Sequence, residues 1–113
     1  MRRLALLLLA TLLAGTTSVL AAGLSEKQAL AKAVSILKGD PYGDTAAAVA
    51  ANITERKLGP RRDTVCGGGA SPVWAFHVVV TRAADHDGGP IDGWIVIDAG
   101  SGRLVCANLP FLD

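Results

Sequence analysis

An α+β domain, with one or two helices packed on an antiparallel sheet of three or four strands, is what this sequence predicts. Three observations lead there. A capped apolar stripe of helical period follows Ser25, and a period-two run rich in β-branched and aromatic residues covers residues 73–81. Two strand-like runs then flank Gly100-Ser101-Gly102 in the segment GWIVIDAGSGRLVC, residues 93–106, which reads as a β-hairpin ending on one of only two cysteines.

The helix begins where Ser25 can cap the free amides and Gln28 completes a capping box. Ala29, Leu30, Ala33, Val34 and Leu37 recur on one face, with Lys27, Lys32 and Lys38 off it. Gly39-Asp40-Pro41 ends the helix, with Gly39 as the left-handed cap. DPYGD, residues 40–44, is a turn. From Thr45 to Leu58 the alanine run, with Val49 and Ile53 four apart, favours a second helix capped by Asp44 or Thr45 and stopped by Gly59-Pro60. A strand through residues 52–57 competes, because the apolar stripe there is thin.

In the strand over residues 73–81, Trp74, Phe76, Val78 and Val80 form the heavy face expected to pack on the helix. Val73, Ala75, His77 and Val79 form the other. The next strand, residues 93–99, alternates Trp94 and Val96 against Ile95 and Ile97, and Trp94 and Val96 are expected in the core. Residues 103–107 return as its partner. Leu109-Pro110-Phe111-Leu112 is an apolar tail able to cover a sheet edge.

Composition and termini bound the function classes. Met1, Arg2 and Arg3, the apolar run of residues 4–14 and the small residues before Ala21 read as a signal peptide over residues 1–21, leaving a single domain over residues 22–113. The apolar run is shorter than the ~20 residues a spanning helix needs, so no stable membrane anchor is expected after cleavage. The expected location is periplasmic or secreted. Without Arg2 and Arg3 the chain is near neutral, which argues against nucleic acid as the main partner. A domain of about 90 residues buries only about 60–65% of its unfolded surface and gains from a staple. Cys66 and Cys106 are the only cysteines, and in an oxidising compartment they are most simply a disulfide. It closes a loop of about 40 residues, worth about 4 kcal/mol in the chain-entropy model.

No catalytic or cofactor motif stands out. Cys66-Gly67-Gly68-Gly69 runs into Pro72 and a strand, so this flexible loop lacks the lysine and helix of a phosphate cradle. Asp98 at the hairpin entry suits local bonding to turn amides. Arg56, Lys57, Arg61 and Arg62 suit a solvated helix end better than a patch for an acidic partner. His77 reads as a satisfied histidine rather than a ligand. Asp85, His86 and Asp87 offer metal ligands in a polar loop, and a small metal- or ligand-binding protein using them is the alternative functional reading.

The capped helix, the aromatic-rich strand and the W-x-V-x-D-x-x-x-G hairpin together resemble the PepSY domain. Ser25, Gln28, Ala29 and Ala33 carry the resemblance in the helix; Trp74, Phe76, Val78, Val80, Trp94, Val96, Asp98 and Gly102 carry it in the strands. The resemblance implies a helix on an antiparallel sheet, cystatin-like in layout. It further implies a non-enzymatic binding role, with a peptidase or other cell-envelope component as the protein partner, inhibited or regulated. It brings no catalytic residues and no cofactor.

Overall fold

The structure is a computed structural model that describes residues 23–81 and 90–112. Residues 1–21, read above as a signal peptide, and Asp85, His86 and Asp87 lie outside the described residues. Helix α1 (Glu26–Leu37) and the short α2 (Ala46–Ala51) precede four strands: β1 (Ile53–Pro60), β2 (Pro72–Val80), β3 (Ile91–Asp98) and β4 (Leu104–Ala107). The strands form one antiparallel sheet in chain order, β1-β2-β3-β4. The α+β layout expected from the sequence is therefore the observed one.

Helix α1 starts as its capping box dictates. Ser25 Oγ accepts from the Gln28 amide at 3.1 Å, and Gln28 Oε1 accepts from the Ser25 amide at 2.9 Å. Its apolar stripe places Ala29, Ala33, Val34 and Leu37 against β2 and β3. Two alanines at the contact let the helix approach closely, and Phe76, Val78, Ile95 and Ile97 fill the space beneath it, each at 0% exposure.

The reading of residues 45–58 as one helix needs correction. Thr45 does cap α2, its Oγ1 accepting from the Ala48 amide at 3.1 Å. The helix stops at Ala51, and Ile53 begins β1, so the competing strand is the one formed from there on. The cause is tertiary. Residues 54–58 have weak intrinsic preference, and pairing with β2 from Ile53↔Val78 to Pro60↔Pro72 decides their state.

The turn at residues 40–44 does more than reverse the chain. Tyr42 is 1% exposed and donates its hydroxyl to the Pro110 carbonyl, 68 residues on. Burial pushes its phenol up to about 12. The tail reaches that point because β3 lacks a side chain at Gly93. A Cβ there would lie 2.6 Å from the Asn108 carbonyl oxygen. Asn108 instead bonds Trp94 through backbone and side chain, and Leu109 enters the core. The tail thus covers the end of the core as well as the flank of β3.

Candidate functional site

Register fixes which side chains share the face turned away from the helices. Directly opposed residues of an antiparallel pair lie on one face. Lys57, Ala75, Val96 and Cys106 make one row across the sheet, and Glu55, His77 and Trp94 make the next. On the helix side Trp74 faces Ile97 and Phe76 faces Ile95. Trp94 and Val96 were expected in the core. Val96 is buried, in a second cluster on the outer face with Val73 and Ala75. Trp94 is only partly buried against it, beside Cys66, Val105 and Cys106. The physical reason is that both alternating sets of β3 are apolar, so sequence alternation alone does not choose the face.

The chain between β1 and β2 folds back over this outer face. A 3-10 turn, Arg61–Asp63, starts it, and Arg61 holds it: its amide bonds the Ser71 carbonyl, and its Nε donates to the Gly67 carbonyl at 2.8 Å. Gly67, Gly68 and Gly69 all take positive φ, which a side chain would strain. Cys66 is then bonded to Cys106 on β4, with 5.9 Å between Cα atoms. The expected disulfide is present, and it straps this loop to the sheet.

Between strap and sheet lies a groove of about 600 Å³. Its walls are residues 57–60 of β1 and residues 63–65 of the strap, and Ala75 and Trp94 complete its lining. Val65 brings exposed apolar surface to it, 48% accessible, whereas Leu58, paired with Trp74, turns its side chain to the helix side. Lys57 Nζ sits 5.2 Å from the Trp94 ring centroid, and His77 stacks on Trp94 at 4.7 Å and 12°.

His77 is clamped from both ring nitrogens. Nε2 meets Asp92 Oδ1 at 2.5 Å, while Nδ1 lies 3.3 Å from Glu55 Oε1 and 3.2 Å from Thr54 Oγ1. The ring's hydrogen bonds run to Asp92 on one side and to Thr54 on the other, with the Glu55 carboxylate close by. It is the satisfied histidine the sequence suggested, fixing the orientation of Trp94. Hydroxyl, imidazole and carboxylate do stand in line here, but Glu55 competes for the nitrogen that a Thr54 nucleophile would need.

The basic cluster is dispersed, because no helix ends there. Arg56 bonds Glu26 of α1 at 3.1 Å, Lys57 covers Trp94, and Arg61 holds the strap. Asp98 is turn chemistry as expected. Its Oδ2 accepts from the Gly100 and Ser101 amides and the Ser101 hydroxyl, and those Ser101 bonds hold its carboxyl below the usual range. Among the described residues no group of three or more His, Cys, Asp or Glu is placed to hold a metal ion. None of the described helices is long and apolar enough to cross a membrane.

The groove is the feature that sequence reasoning missed. Its signal was the second alternating set, with Trp94 in register with His77 and Lys57 one row over, visible only once residues 53–60 are taken as a strand. No family model matches the chain, and no curated protein or solved structure matches it either.

Proposed function

We propose that this chain is an exported, non-enzymatic binding domain of PepSY type, docking onto a peptidase or other cell-envelope protein and restraining or regulating it. The observation that carries the reading is the outer-face groove. It combines exposed Val65, the anchored Trp94 ring and the Lys57 ammonium beside it. Concave, mostly apolar sites with a few placed polar groups are where partners seat a side chain. The helix-on-sheet layout supports the PepSY reading, and the disulfide together with the leader-like residues 1–21 supports export.

The reading also accounts for the clamped histidine. His77 with both nitrogens occupied is poorly placed to shuttle protons and well placed to keep Trp94 rigid, which lowers the ordering cost of binding. The test is capture of envelope proteins on the disulfide-intact domain, with peptidase activity followed in parallel. Val65→Asp and Trp94→Ala chains serve as controls. A captured protein lost by both variants is the expected result. Equal capture by the variants, or no capture and no effect on any peptidase, overturns the proposal.

A further inference from the structure

Among the described residues the outer edge of β1 is open. It ends the strand order, hydrogen-bonding β2 on one side, and Thr54 to Leu58 are all exposed. Helix α1 packs over β2 and β3 and reaches β1 through the Glu26–Arg56 pair. Open edges invite pairing with another strand, and charged residues along them usually discourage it. Here the order of the charges, Glu55-Arg56-Lys57, is what matters.

We propose that this edge pairs antiparallel with the same edge of a second copy of this chain, in the register centred on Arg56. A two-fold axis perpendicular to the sheet keeps the outer faces together, so opposed residues must share parity and the axis must pass through a residue pair. Three centres are then available along the charged stretch. Centred on Glu55, two carboxylates oppose each other and Lys57 meets Ile53. Centred on Lys57, two ammonium groups oppose each other and Glu55 meets Gly59. Centred on Arg56, each Glu55 opposes the partner copy's Lys57, giving two opposite-charge pairs on the outer face, and Thr54 opposes Leu58.

The remaining cost in that register is the meeting of the two Arg56 guanidinium groups on the helix side, and each already holds its own Glu26 at 3.1 Å. The outer-face groups keep capacity for new partners. Glu55 is half-exposed beside His77, with its second oxygen available, and the Lys57 ammonium has three donors above Trp94. The register shift between Ile53 and Glu55 marks where the regular edge stops, so the ladder is short. A short, charged ladder buries little apolar surface; the dimer is therefore weak and weakens further with salt.

Sedimentation of the disulfide-intact protein over a concentration series tests this, with three variants. Lys57→Glu sets Glu55 against a glutamate in each pair and raises the dimer dissociation constant about tenfold or more, since each exposed pair is worth about 0.2–1 kcal/mol and changes sign. Glu55→Lys combined with Lys57→Glu exchanges the charges and restores dimerisation. Arg56→Cys, on the axis, links covalently to its own copy under mild oxidation, whereas Thr54→Cys, which opposes Leu58, does not. A protein that stays monomeric up to millimolar concentration overturns the proposal. So does a double variant as weak as the single one, or equal cross-linking at residues 54 and 56.

Discussion

On the helix-covered face the sheet presents Phe76, Val78, Ile95 and Ile97, all at 0% exposure beneath α1. On the opposite face Val73, Ala75 and Val96 are also buried, and among the described residues their apolar cover is Trp94, Val105 and the two bonded cysteines. One face is shielded by an amphipathic helix and a large apolar contact. The other is shielded by a loop that has no apolar stripe of its own and stays down because Cys66–Cys106 and Arg61 hold it. The difference teaches where this small domain can spare surface. The helix face is committed to folding, and the strapped face leaves an aromatic ring, a cation and apolar side chains at a groove.

The comparison breaks most severely at Phe76. Replacing it with alanine in the helix-side core costs about 3–5 kcal/mol, and chemical denaturation will show a domain close to unfolded. Removing the staple ranks next. The double variant Cys66→Ser, Cys106→Ser loses about 4 kcal/mol in the chain-entropy model, where measured losses often fall short. Its far-ultraviolet spectrum will keep the helix while Trp94 fluorescence shifts as the strap lifts. If the helix melts together with the Trp94 signal at the same denaturant concentration in both proteins, the two faces are not separable as argued.

A smaller effect sits at the end of the core. The folded state holds the Tyr42 phenol at about 12 against an unfolded value of 10.0. Its contribution is therefore complete below pH 10 and is lost as pH rises toward 12. Tyr42→Phe removes the bond to Pro110, costs about 1 kcal/mol near neutrality, and flattens that alkaline decline in thermal melts. Smallest for stability is Lys57→Met, within about 0.5 kcal/mol of the parent, because an exposed cation–π contact is weak. Its effect is expected in partner capture, so a large loss of melting temperature would show Lys57 to be structural.

Much of the fold was legible because local chemistry and tertiary structure agree. Ser25 and Gln28 announce the start of α1, the period-two run announces β2, and Asp98-Ala99-Gly100-Ser101-Gly102 announces the turn before β4. The disulfide followed from cysteine arithmetic. Two things were not legible. Residues 53–60 carry charged and weakly β-forming side chains, and the pairing partner decides their state. The face of Trp94 depends on a register that links His77 to Trp94 and Phe76 to Ile95, a long-range fact absent from local alternation. The candidate site rests on both, so it was the part hidden from sequence.

The contact between Tyr42 and Pro110 has one more consequence. The first turn after α1 and the last few residues close the same corner, with Leu109 seated in the core between them. A chain emerging from a ribosome, N-terminus first, lacks that corner until residues 109 and 110 have appeared. Completion of the core thus waits for the segment that follows β4.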